Sequence, residues 1–319
     1  MTISVLGSGA FGTALAIASA RDGTPVTLWS RNSDDAATMQ QTRQSGRRLP
    51  GHALPESLTV TESDTAFQSS ICLLAIPAQK LADFLATHSF AEGSTLIACA
   101  KGIDRQTSLG PVATIEAACP AVHAAILTGP SFAIDIAAGL PTAIVLAART
   151  DDAAERLQQQ LTRPTLRLYR STDVIGAELG GALKNVVALA AGIAIGAGLG
   201  DSARASVIAR GFSELARYAE AKGARKETIQ GLSGLGDLVL TCTSKKSRNF
   251  MAGVSLGQGA LLDGKTTVEG LATAPTVARE AKALNLELPL IQAIADVVEG
   301  RLDIPHAIET LLARPVGTE

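Results

Sequence analysis

The chain has 319 residues, enough for two domains of ordinary size. Apolar residues make up 46% and charged residues 18%, which supports a globular core and argues against disorder. The formal net charge of −2, without any basic block, argues against a nucleic-acid partner. Aromatic residues are only 3%, so the core must be built from Ala, Val, Ile and Leu.

ISVLG (3–7) reads as a short buried strand, followed by GSGAFG and a helical pattern, TALAIASARDG, closed by Gly23. TPVTLWS (24–30), ICLLAIP (71–77), STLIACA (94–100), AAILTGP (124–130) and TAIVLAA (142–148) are further apolar runs of strand length. Most are separated by helix-compatible segments. Strands apolar on both faces that alternate with helices predict a mostly parallel sheet covered on both sides. After TLRLYRS (165–171) that rhythm stops, and from about residue 173 the patterns are long and helical. The expected organisation is an α/β domain over 1–172, followed by an all-helical domain over 173–319.

Cys72, Cys99, Cys119 and Cys242 show neither metal-knuckle nor CxxC spacing, and Cys72 and Cys99 fall inside apolar runs as small hydrophobes. A reducing cytoplasm is the simplest setting. His52, His88, His123 and His306 lack metal spacing and are expected mostly at the surface or in turns, so no metal is expected. The N-terminus does not read as a signal peptide. The Gly-rich apolar run after Lys184 falls short of the ~18–20 residues a membrane span needs, so a soluble protein without a span is expected.

Gly7, Gly9 and Gly12 form G-x-G-x-x-G between a strand and a helix, the context in which that weak motif indicates a dinucleotide site. The first glycine permits the tight turn, the second lets the backbone approach a pyrophosphate, and the third lets helix and strand pack closely. At the end of the second strand stand Ser30 and Arg31 rather than a carboxylate. A guanidinium there pairs with a 2′-phosphate, or else is a solvated surface arginine; the first alternative predicts NADPH in preference to NADH, with NADH a possible second cofactor.

Ligands gather at the carboxyl ends of strands in open parallel sheets. Lys101 in ACAKG, and Gly129, Ser131 and Ala133 in TGPSFA, fall at such ends; Lys101 is either solvent-facing or aimed at an anion. In the helical half, Lys184 and Asn185 interrupt ELGGALKNVVALAAGIAIGAGLG (178–200), and GLSGLGDLVLTCTSKKSRNF (231–250) follows. Asp237 is there either a helix N-cap or a site carboxylate, with Thr241 one turn along on the same face. Ser247, Arg248 and Asn249 cluster donors suited to a phosphate.

With GSGAFG, ACAKG, TGPSFA, GGALKNVVALAAGI, GLGDLVLTCTS, SRN and VEG in order over nearly the whole chain, the sequence resembles the bacterial NAD(P)-dependent glycerol-3-phosphate dehydrogenases. The resemblance implies a Rossmann-like domain, a helical domain and a homodimer as a possible assembly. It gives Lys184 the proton transfer, with Lys101 and Asp237 also in catalytic positions. It sets Lys101, Gly129, Ser131, Lys184, Asn185, Asp237, Thr241, Ser247, Arg248 and Asn249 around the substrate. Gly7, Gly9, Ala10, Phe11, Gly12, Arg31, Lys101, Ala133, Arg248, Thr267 and Glu269 fall at cofactor-contacting positions. Departures are small: Arg31 stands where some relatives have His, Asp135 where Glu is common, and Phe250 and Met251 where some relatives are basic.

The implied reaction is hydride transfer between NAD(P)H and dihydroxyacetone phosphate to give sn-glycerol 3-phosphate for phospholipid synthesis, with Lys184 as proton donor and Arg248 and Asn249 on the phosphate. Two other readings are a related NADP-dependent reductase of a small hydroxy acid and a non-catalytic dinucleotide sensor. The combination of Lys184, Asn185 and Asp237 argues against the sensor.

Overall fold

The computed structural model describes residues 2–261 and 267–313. The first half alternates β1 (Ile3–Leu6), α1 (Ala10–Ala20), β2 (Val26–Trp29), α2 (Ser33–Thr42), β3 (Leu58–Thr61), β4 (Ile71–Leu74), α3 (Ala78–Thr87), β5 (Thr95–Ala98), α4 (Pro111–Ala118), β6 (His123–Thr128), α5 (Ala133–Ala137), β7 (Thr142–Ala148), α6 (Asp151–Leu161) and β8 (Leu166–Ser171). The strands form a sheet in the order β3-β2-β1-β4-β5-β6-β7-β8. Every neighbouring pair is parallel except β6 and β7, which run antiparallel. Ile3, Val5, Leu73, Ile97 and Leu127 join one core, while the alternate residues Leu6, Leu74, Leu96 and Ile126 are also buried. Both faces are therefore covered, which is why these strands read as unbroken apolar runs.

One strand was not expected. Leu58–Thr61 forms β3 at the sheet edge, its Leu58 and Val60 buried and Thr59 exposed. Its alternation is that of a half-covered edge strand, a weaker signal than an apolar run. Four aromatics, Trp29, Phe67, Phe84 and Phe90, cluster with His88, whose ring lies 4.4 Å from that of Phe84. His88 is thus half-buried in an aromatic cluster rather than a plain surface residue.

The second half is helical: α7 (Val174–Gly196), α8 (Gly200–Ala221), α9 (Lys226–Gln230), a π-helical turn (Leu232–Gly236), α10 (Asp237–Thr243), α11 (Arg248–Gly257), α12 (Glu269–Ala283), α13 (Pro289–Val298) and α14 (Ile304–Leu312). The chain separates into two compact units, Met1–Lys101 with Leu109–Glu178, and Gly102–Ser108 with Leu179–Glu319. The division falls inside α7. In the first unit Glu178 accepts a hydrogen bond from the Val112 N–H at 2.7 Å and so caps α4, whose own N-cap is Gly110. In the second unit Ile103, Leu183, Val186, Leu215, Tyr218 and Ile291 share a core.

Helix α7 starts ten residues before Lys184, so it is longer than the apolar run that follows that lysine. It has 23 residues, and by length and composition it could cross a membrane. Yet 89% of its most apolar window is buried within the protein, as in a core helix. Its small residues allow unusually close packing. A Cβ on Gly192 or Gly196 would collide with the backbone carbonyls of Phe250 or Val254, and one on Gly253 or Gly257 with those of Leu189 or Ile193. Two G-x-x-x-G faces, one on α7 and one on α11, thus bring the helix backbones into contact.

Gly253→Ala should therefore force α7 and α11 apart and lower stability by about 1–3 kcal/mol, the range for overpacked cores. Chemical denaturation measures this; an unchanged midpoint would remove backbone contact as the reason for glycine there.

Candidate active site

In the first unit, β1 runs into Gly7, whose φ of +114° suits glycine and whose absent Cβ would lie 2.7 Å from the Ala75 carbonyl oxygen. The carboxyl ends of β1 and β4 are thereby drawn together at the point where the strand order changes direction. Gly12 is equally constrained, because a Cβ would lie 2.8 Å from that of Ala75. Gly9 differs: its Cβ would meet nothing within 4 Å, so the space over it is open to a ligand.

Gly9 is also the N-cap of α1, with no side-chain cap and no acidic residue in the first turn. Ala10 and Phe11 open the helix, and Phe11 packs against the sheet core. An uncapped N-terminus with open space before it is a fitting seat for a pyrophosphate. The Ser8 hydroxyl donates to Ser30 Oγ at 2.8 Å, and Ser30 donates to the Asn32 carbonyl at 3.2 Å, tying the glycine turn to the end of β2. Arg31 is exposed beside this chain and forms no hydrogen bond or ion pair among the described residues.

At the ends of β5 and β6, Lys101 Nζ donates to the Gly129 carbonyl at 2.9 Å, and Ser131 Oγ donates to the same oxygen at 3.0 Å. Ala133 opens α5 just beyond. Lys101 is half-buried and tied to this turn.

In the second unit, Lys184 lies mid-helix with its side chain 8% exposed, opposite Asp237, which is 1% exposed. Nζ donates to Asp237 Oδ1 at 2.6 Å and to Thr241 Oγ1 at 2.7 Å, and Thr241 donates to Asp237 Oδ1 at 3.2 Å. The carboxylate favours the ammonium form of its neighbour, and the ammonium favours the carboxylate. The N-cap of α10 is Gly236, so the side chain of Asp237 is spent on the lysine and not on capping. The π-helical turn delivers it: a Cβ on Gly234 would collide with the Ile229 carbonyl, so the turn tolerates only glycine there. Cys242, within electrostatic reach of the pair, is fully buried in an apolar cluster with Val187, Ala188 and Leu238, and burial pushes its thiol up to about 12.

Asn185 Nδ2 donates to Glu269 Oε2 at 2.8 Å, and Asn249 Nδ2 donates to Asn185 Oδ1 at 3.0 Å. Asn249 Oδ1 accepts from the Gly270 N–H at 2.8 Å. Ser247 caps α11 by accepting from the Phe250 N–H, and the exposed Arg248 is the first residue of that helix. Thr267 is exposed just ahead of α12. Among the described residues no three His, Cys, Asp or Glu side chains gather to hold a metal ion. Sequence reasoning passed over Ser8 and Gly270; the first hides in the variable positions of the glycine motif, the second in VEG.

The chain is similar to known proteins along nearly its whole length. The family described as NAD-dependent glycerol-3-phosphate dehydrogenase matches with its N-terminal part over residues 2–154 and its C-terminal part over residues 173–309. The chain is 54% identical to the glycerol-3-phosphate dehydrogenase [NAD(P)+] of Paracoccus denitrificans and 53% identical to that of Roseobacter denitrificans, each over 100% of both chains. A crystal structure of glycerol-3-phosphate dehydrogenase from Coxiella burnetii superposes with a TM-score of 0.90 at 34% identity, covering 98% of this chain and 99% of that one.

Asp237→Asn should remove the counter-charge of a buried ammonium and destabilise the protein by about 3–5 kcal/mol near neutral pH. In that variant the folded state disfavours protonated Lys184, so the unfolded chain binds the extra proton and stability rises with pH. Denaturation at pH 7 and pH 10 reads both effects; a deficit that does not shrink at high pH would contradict the account.

Proposed function

The chain belongs to the NAD-dependent glycerol-3-phosphate dehydrogenase family, and from that premise we propose that it interconverts dihydroxyacetone phosphate and sn-glycerol 3-phosphate with NAD(P)H. Residues 1–172 hold the dinucleotide and residues 173–319 carry the substrate groups. The observation that carries this reading is the buried ammonium of Lys184, aimed by Asp237 and Thr241.

The nicotinamide, when bound, supplies the hydride. Negative charge then builds on the former carbonyl oxygen. Lys184 stabilises that charge and donates the proton, and in the reverse direction its neutral amine accepts one. Lys101 adds positive charge beside the substrate, with Gly129 and Ser131 lining the turn it holds. Arg248, with Ser247 and Asn249 at the N-terminus of α11, receives the phosphate, whose binding fixes the reacting carbon. Gly7, Gly9, Ala10, Phe11 and Gly12 seat the pyrophosphate, and Ala133, Thr267 and Glu269 contribute to the rest of the dinucleotide site.

Ser30 and Arg31 in place of a carboxylate support NADPH as the preferred cofactor, with NADH accepted. Family membership supports a phosphorylated ketone over a small hydroxy acid, and a buried proton donor is unneeded in a sensor. A cytoplasmic homodimer without a membrane span, supplying glycerol 3-phosphate to phospholipid synthesis, completes the reading.

Lys184→Ala should lose about 10²–10⁴ of kcat, the range for a positioned general acid, while NADPH still binds. Binding can be followed by quenching of Trp29, the single tryptophan, two residues before Arg31. Near-normal kcat in this variant would sink the mechanism. Arg31→Ala should lower kcat/KM for NADPH about 10–100-fold relative to NADH, as for loss of a charge-assisted hydrogen bond. An unchanged ratio of the two cofactors would remove Arg31 from the role.

A further inference from the structure

An open sheet has two edge strands whose outward N–H and C=O groups can pair with another chain. Here those strands are β3 and β8. They are protected in different ways. β8 reads LRLYRS and carries the exposed Arg167 and Arg170, charges that discourage pairing. Its Leu168 carbonyl also accepts from Gln158 Nε2 at 2.7 Å, and Leu166 exchanges backbone hydrogen bonds with Arg163. β3 reads LTVT, without charge and without proline. An uncharged segment rich in β-branched residues is prone to add a further strand.

The backbone bonds show which groups of β3 face outward. Val26 N–H donates to the Ser57 carbonyl and Ser30 N–H to the Thr61 carbonyl, so the odd-numbered carbonyls face β2. Leu58 and Val60 therefore present their N–H and C=O groups to the outside. Two side chains at the end of α2 cover them. Val60 N–H donates to Gln40 Oε1 at 2.8 Å. Arg43 donates through Nη2 to the Leu58 carbonyl at 2.7 Å and to the Pro55 carbonyl, and through Nη1 to Gln40 Oε1 at 3.1 Å. The two side chains are thus tied to each other as well as to the edge. The backbone of Arg43 adds an independent observation. It ends α2 in the left-handed conformation, with φ +54°. Glycine is the usual residue there and arginine is strained, but glycine has no guanidinium to lay on β3.

We propose that the outer edge of β3 is a self-association surface that Gln40 and Arg43 hold closed, and that the partner it fits is the same edge of a second copy of this chain. Two β3 strands meeting antiparallel place Val60 opposite Val60, each N–H on the other carbonyl, and Thr59 opposite Thr61. No like charges face each other in that register, and threonine pairs across strands are favourable. The pairing requires both covering side chains to withdraw, which disfavours it in the unmodified chain.

The test removes the cover without weakening α2. Gln40→Ala puts the strongest helix former at an exposed helical position, and Arg43→Gly suits the left-handed φ. Light scattering after size exclusion, over a range of protein concentrations, reads the mass; circular dichroism and thermal melting read the fold. The double variant should keep its secondary structure and melt within a few degrees of the unmodified chain. It should gain mass at concentrations roughly tenfold or more below any at which the unmodified chain does, the factor for one lost hydrogen bond of ordinary strength. Thr59→Lys in that background puts a charge on the pairing edge and should restore the original mass, whereas Gln41→Lys, exposed on α2, should not. A mass unchanged at every concentration would overturn the proposal. So would equal rescue by both lysines, which points to solubility in general, and so would association that begins only above the melting temperature. If the double variant does not fold, Gln40→Ala alone carries the test: it should associate at lower concentration than the unmodified chain, and identical behaviour would overturn the proposal.

Discussion

An ammonium held inside an apolar helix sets the terms for the rest of the helical unit. Removed from water, Lys184 carries a desolvation penalty of several kcal/mol that only a close, well-oriented partner offsets. That partner lies 53 residues along the chain and must arrive within 2.6 Å. The segment between Ile229 and Asp237 is built for this delivery: three glycines in GLSGLG, a π-helical turn, and then α10 beginning at the carboxylate itself. Thr241 follows one helical turn later, on the same face, and closes the triangle. Removal of either charged member leaves the other buried without its counter-charge.

The same helix meets a second demand on another face. Glycines of α7 and α11 let the two backbones touch, and that contact sets the distance at which Asn249 reaches Asn185. Bulky residues would hold the helices farther apart and break that hydrogen bond. The shortage of aromatic residues thus has a physical counterpart. The core gains from many short contacts between small groups rather than from a few large side chains.

The sheet was largely legible because its central strands are buried on both faces, and ICLLAIP or TAIVLAA has little other use in a soluble fold. β3 was not legible, since LTVT is four residues long and only half covered. The start of α7 agrees with the helical pattern expected from about residue 173. The helix begins at Val174, where the Asp173 carboxylate accepts from the Gly176 N–H. In the helical unit the residue types were readable and their pairing was not. Asp237 could have been a cap until Gly236 was found to take that position. The bond between Asn249 and Asn185 lies beyond any spacing argument, because it joins segments far apart in the chain.

These pairings bear on the chemistry proposed for the chain. Asp237 favours a proton on Lys184, which suits donation to an oxygen that is gaining charge. Thr241 accepts from the ammonium and donates to the carboxylate, so its hydroxyl dipole is already turned to support the charged pair. Cys242, within electrostatic reach of the pair, stays a neutral thiol because burial pushes its titration up to about 12, and it adds no competing charge. In the oxidative direction the amine must be neutral beside a carboxylate that prefers it charged. The arrangement therefore demands more of the solvent pH in that direction than in reduction. Fixed dipoles of this kind need no rearrangement as the reaction proceeds, which is where preorganised sites gain over water. The cost appears instead in folding, as a buried charge and a close helix contact that leave little freedom for substitution.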